Sequence, residues 1–126
     1  MSEPRTVVLV GHCGPDMFML KSAVGRVVPD APIETVNDAD ALAPHLASDR
    51  VLLVNRVLDG HFDSTSGIEL IEQTASGADA PLAILISDRE DAQSQAVTAG
   101  ARVGFGKRDL YAPETATILR EAVESG

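Results

Sequence analysis

VLLVNRVLDGHFDSTSG, residues 51–67, opens as an unbroken apolar run and then turns polar and glycine-bearing until its end. An apolar run without alternation is the mark of a strand covered on both faces, as in a parallel sheet held between two helix layers. Two other runs have the same character, TVVLVG (6–11) and LAILIS (82–87). IETVN (33–37) alternates in polarity and RVGFG (102–106) is short and glycine-interrupted, so these two are expected at edges or under thin cover. The count is five strands.

Helical patterns fill the intervals. GPDMFMLKSAVGRVV (14–28) places Pro15 near a first helical position and carries Met17, Leu20, Val24 and Val27 on one stripe. DADALAPHLAS (38–48) and GIELIEQTAS (67–76) follow the second and third strands, and His45 is expected on a helix surface or end. DREDAQSQAVTAG (88–100) has Ser87 or Asp88 as its expected cap, an alanine-dominated inner face, and Gly100 as its stop. APETATILREAVES (112–125) starts at Pro113 and is expected to bury Thr115, Ile118, Leu119 and Ala122. Strict alternation of strands and helices with short connections gives right-handed crossovers and a three-layer (βα)5 sandwich of the flavodoxin-like class. A chain of 126 residues is expected to form one domain over 1–126.

Composition narrows the function. Aromatics are 3% of the chain, so the core is expected to be built from Val, Leu, Ile and Ala. A formal charge of −9 repels phosphate backbones and anionic lipid, and Lys107–Arg108 is the only adjacent basic pair, which argues against direct nucleic-acid or membrane binding. The single Cys13, the polar start MSEPRT, and the lack of an apolar run near membrane-spanning length lead us to expect a soluble cytoplasmic protein.

In open α/β sheets, ligands bind outside the carboxyl ends of the strands. The candidates are therefore residues 11–16, 55–66, 87–88 and 106–109. Three of these features resemble the receiver domain of two-component response regulators over essentially the whole chain: the fourth strand ending in Ser87, the AGAR turn (99–102), and GFGK ending in Lys107. The resemblance implies a five-stranded sheet in the order 2-1-3-4-5 and a pocket formed by Gly11, His12, Asn55, Ser87 and Lys107. It also implies a degenerate form. Gly11 and His12 stand where the family has a Mg²⁺-holding acidic pair, Asn55 where it has the phosphoaccepting aspartate, Gly104 at the switch aromatic, and Arg108 at a proline. Phe105 is expected on the opposite face from Gly104. A neutral amide oxygen is a poor nucleophile beside a carboxylate, and three uncharged side chains are a poor Mg²⁺ set.

The leading expectation is a phosphorylation-independent signalling or protein-interaction module that is not an enzyme. It would act through its fourth helix, fifth strand and fifth helix (residues 89–99, 102–105 and 115–125), with a homodimer as one form of contact. The alternative is a small-anion or metal sensor at the strand-end pocket. Its anion or ligand contacts would be His12, Asp16, Asp59, His61 and Lys107, with the enlarged loop 56–66 supplying part of the site. Cys13 and Asp63 lie on the same edge, yet GHCGPD and DGHFD have no recognised metal-ligand spacing, so no metal and no cofactor is assigned. Ser64 or Ser66 with His12 and Asp16 lacks a nucleophile-elbow motif, which leaves no catalytic residue assigned.

Overall fold

The computed structural model describes residues 4–75, 77 and 79–124. Five parallel strands form one sheet, β1 (Thr6–Val10), β2 (Ile33–Val36), β3 (Arg50–Asn55), β4 (Leu82–Ile86) and β5 (Arg102–Phe105). Their order is β2-β1-β3-β4-β5, as expected. The connections are α1 (Gly14–Val27), α2 (Ala39–Leu42), α3 (Gly67–Thr74) and α4 (Glu90–Ala99), and α5 (Pro113–Glu124) closes the order.

Alternation along the strands divides the core in two. Val7, Leu9, Val51, Leu53, Ile84, Ile86 and Phe105 face α1 and α5, where Leu20, Val24, Leu119 and Val123 meet them. Val8, Val10, Leu52, Val54, Ala83 and Leu85 face the other layer, meeting Leu42, Leu70, Ile71, Ala92 and Ala96. Phe105 thus lies on the α1–α5 face, as alternation requires. The α4 helix buries only Ala92 and Ala96. Thin apolar cover there is offset by the hydrogen bonds of Gln93, described below.

Three local expectations are corrected. Residues 38–48 do not form one helix: α2 is a single turn capped by Asp38, whose Oδ1 accepts the Ala41 N–H (2.6 Å), followed by a 3₁₀ turn over Ala43–His45. Pro44 contributes, since it has no N–H with which to continue the helical hydrogen bonding and stands at the start of the 3₁₀ turn. Neither Ser87 nor Asp88 is the N-cap of α4, which is Arg89. The Ser87 Oγ accepts the Arg89 N–H (3.2 Å), while Asp88 Oδ1 accepts the Arg108 N–H (3.2 Å) and so ties the start of α4 to the end of β5. On α5, Val123 joins Thr115, Leu119 and Ala122 among the buried residues, and Ile118 is only partly buried. Ser76 and Ser125, at the ends of two expected helices, lie outside the described residues.

The enlarged loop 56–66 is folded onto the sheet. Val57 and Ser66 form an antiparallel bridge at its neck, and Asp38 and His61 form a parallel bridge that extends the sheet beyond β2. Backbone bonds run from Asp59 N to Gly11 O (2.8 Å), from His61 N to Asn37 O (2.7 Å) and from Ala39 N to His61 O (3.0 Å). The Asn37 amide donates to both His12 O (3.1 Å) and Asp59 O (3.0 Å). Leu58 anchors the loop in the α2–α3 core layer, with Phe62 packed against it. Gly11, at φ 72°, has no room for a Cβ against Leu58. Leu58→Ala is expected to cost about 2–4 kcal/mol in a denaturant titration and to speed amide exchange at Asp59 and His61, because it removes the loop's one fully seated apolar anchor.

Candidate functional site

The carboxyl ends of β1, β3, β4 and β5 bring Gly11, His12, Asn55, Ser87 and Lys107 to one edge, where the receiver resemblance puts the pocket. Asn55 closes β3. Its Nδ2 donates to Gly11 O (3.0 Å) and to Val57 O (2.8 Å). Both partners are carbonyls that only accept, so the side-chain nitrogen must face them and the amide orientation is fixed by chemistry. A carboxylate in the same place would put anionic oxygen against two carbonyl oxygens.

His12 follows β1 into the interior and is 1% exposed. Nε2 lies 2.8 Å from Leu53 O, which again only accepts, so Nε2 carries the proton and Nδ1 is the bare acceptor. Nδ1 is buried with no hydrogen-bond partner. Burial lowers the His12 pKa to about 4, with the Lys107 charge pushing the same way against the Leu53 hydrogen bond and Asp16. His12 is thus neutral at pH 7 and part of the core.

Lys107 pairs with Asp16 on the first turn of α1. The Lys107 ammonium bonded to it holds the Asp16 carboxyl below the usual carboxylate range, and the Cys13 thiol contributes a smaller shift in that direction. Asp59 and His61 are exposed on the folded loop, and the bonds that place them are those of their backbone to the ends of β1 and β2. The structure therefore brings His12, Asp16 and Lys107 together, while Asp59 and His61 belong to the loop's seat on β1 and β2. Among the described residues no group of three or more His, Cys, Asp or Glu is arranged to hold a metal ion. The Mg²⁺ that receiver domains use does not fit the donors present: a glycine, a buried histidine spent on Leu53, and an amide whose N–H groups face carbonyls.

A residue that the sequence did not single out, Gln93 on α4, fills the space beside Gly104. The pairing of β4 and β5 shifts register between Ile84 and Ile86. Gln93 spans the gap: Oε1 accepts the Gly104 N–H (3.1 Å), and Nε2 donates to Leu85 O (2.8 Å) and Ser87 O (3.0 Å). A Cβ on Gly104 would overlap both Leu85 O and the Gln93 amide. The sole advance sign was a polar residue in an alanine-rich helix opposite a strand glycine.

The overall likeness extends to solved structures. The signal receiver domain of a DNA-binding response regulator protein from Colwellia psychrerythraea superposes with a TM-score of 0.71 at 17% identity, covering 95% of this chain and 98% of that one. A putative response regulator from Chloroflexus aurantiacus gives 0.69 at 14% identity, over 98% and 100% of the two chains. NtrX from Brucella abortus gives 0.64 at 21% identity, where 98% of this chain matches 27% of that one. The chain has the fold of response regulator receiver domains. No family model matches the sequence. No curated protein matches it either.

The site makes stability depend on pH in a defined window. The folded His12 binds its proton less readily than the unfolded chain, with a pKa of about 4 against 6.5. Stability is then complete above pH 6.5 and falls as pH drops toward 4, by on the order of 3 kcal/mol from this group. Denaturation curves between pH 7 and 4 should show that slope, and His12→Gln should flatten it.

Proposed function

We propose that this chain, across residues 1–126, is a phosphorylation-independent interaction module of a cytoplasmic signalling or regulatory system, built on the receiver fold. The observation that carries the reading is the Asn55 amide, whose donated bonds to Gly11 O and Val57 O occupy the position of the phosphoacceptor with a non-nucleophile. Two further features support it. The lysine that would meet a phosphoryl group is engaged by Asp16. The aromatic that would report its arrival is replaced by Gly104 and the Gln93 clamp.

With no phosphoryl input, the role is contact with a protein partner, and no catalysis is needed. The surface proposed for contact comprises α4, β5 and α5, as the receiver resemblance implies. Val97 and Val103 there are 44% and 65% exposed, apolar area that a partner or a second copy of the chain would cover. The net charge of −9 disfavours nucleic acid as that partner. No helix among the described residues is long and apolar enough to cross a membrane, and no membrane role is proposed.

The test is direct. Protein incubated with acetyl phosphate, or with beryllofluoride, in the presence of Mg²⁺ should gain no covalent mass and show no amide shifts at Asn55 and Gly104. A covalent phosphoryl adduct, or a saturable beryllofluoride response at those amides, would overturn the reading.

A further inference from the structure

Four cationic residues among those described are neither fully exposed nor fully buried: Arg5, Arg50, Arg56 and Lys107. Three of them are satisfied. Arg5 donates to Ser48 O and Ala122 O, Arg50 to the Nδ1 of His45 and the carboxylate of Asp49, and Lys107 to Asp16. Arg56 differs. Among the described residues its guanidinium has no ion pair and no hydrogen bond, in a chain with 19 acidic residues to 10 basic ones.

Arg56 faces open space instead. It lines two adjoining clefts, of about 310 and 360 Å³, that share Arg56, Val57 and Arg89 along their common rim. The first reaches Ser87 and Lys107, and the second passes between Ser66 at the start of α3 and Gln95 on α4. Hydrogen-bond donors converge on both. The Ser87 and Ser66 hydroxyl oxygens each accept a backbone N–H, from Arg89 and Glu69 (3.2 Å each), which leaves both O–H groups free to donate. Arg89 is paired with Asp91, but the two side chains are about 60% exposed, so water weakens the pair and the guanidinium can be shared. Asp88 and Asp91 are the carboxylates on the lining, and both are bound already, to Arg108 N and to Arg89.

We infer that this double cleft binds a small soluble ligand through one oxyanion, a carboxylate or a phosphate, with Arg56 as its anchor and Ser87 and Arg89 as further donors. The planar guanidinium presents two parallel N–H groups that match either oxyanion. Each cleft is of the size that metabolite sites take. A charge of −9 over the whole chain selects against polyanions, so a single anionic group is the fitting chemistry. The double cleft opens at the strand ends, where Asn55, Ser87 and Lys107 line it, and runs on between α3 and α4; His12 is core, Lys107 is spent on Asp16, and the uncommitted cation is Arg56, one residue beyond Asn55. Arg56 falls within the candidate stretch 55–66 without being singled out there, because an arginine after a strand looks like any solvated loop residue. The inference does not rest on the interaction reading, and either can fail alone.

The experiment is an NMR titration of the full chain with inorganic phosphate and, separately, with succinate, following the Arg56 Nε–H and the Ser87 and Arg89 amides. Saturable shifts confined to these groups are expected; response to both anions marks a general oxyanion site, and response to phosphate alone marks a phosphoryl site. Arg56→Gln should weaken binding about tenfold or more, while Arg120→Gln on α5 should leave it unchanged. Should the glutamine variant fold poorly, Arg56→Lys keeps the charge, loses the fork, and should weaken binding severalfold. No saturable shift with either anion, or unchanged affinity in the folded Arg56 variants, would overturn the proposal.

Discussion

The pair of hydrogen bonds that the Asn55 amide gives to Gly11 O and Val57 O holds the carboxyl edge of this sheet together. One side chain joins the end of β3 to the end of β1 and to the neck of the loop that follows. The backbone of the same edge is closely packed. Gly67 lacks a Cβ where one would overlap Asn55 O, and its N–H bonds Arg56 O (2.8 Å), so α3 starts tight against the strand end. Gly60, at φ 117°, likewise has the Asn37 carbonyl where a Cβ would stand. An amide donates and a carboxylate cannot, which makes the asparagine a structural requirement of this edge as well as a chemical loss relative to the receiver resemblance.

The same exchange of reactive groups for fixed contacts recurs around the site. His12 is driven neutral by burial and bonded to Leu53 O, Lys107 is neutralised by Asp16, and the Gly104 position is filled by the Gln93 amide. A receiver switch needs a pocket whose charge changes and an aromatic that moves in response. Here Asn55 is held by Gly11 O and Val57 O, His12 by Leu53 O and Lys107 by Asp16, and α4 is pinned to β4 and β5 by three short polar bonds in place of apolar depth.

Much of the fold was legible because the signals were local. Short unbroken apolar runs rich in β-branched residues, such as 51–54 and 82–86, read as doubly covered strands, and their alternation with helical patterns leaves few topologies. The site residues at the strand ends followed from the same frame. One miss was local, the Pro44 that ends α2 after a single turn, and another was set by tertiary contact, where Asn37 and Leu58 turned a polar-looking loop into a packed cover. Gln93 and Arg56 were not singled out because polarity alone does not say whether a side chain meets water, a register shift between strands or a cleft.

The most direct measurement is the stability of Asn55→Asp as a function of pH, by chemical denaturation. At pH 7 the variant should lose roughly 2–3 kcal/mol, since two carbonyls lose their donor and face a carboxylate. The deficit should narrow as pH falls and the new carboxyl takes up a proton it can donate. A variant as stable as the original at pH 7 would contradict the account, for it would mean that the amide's hydrogen bonds do not hold this edge.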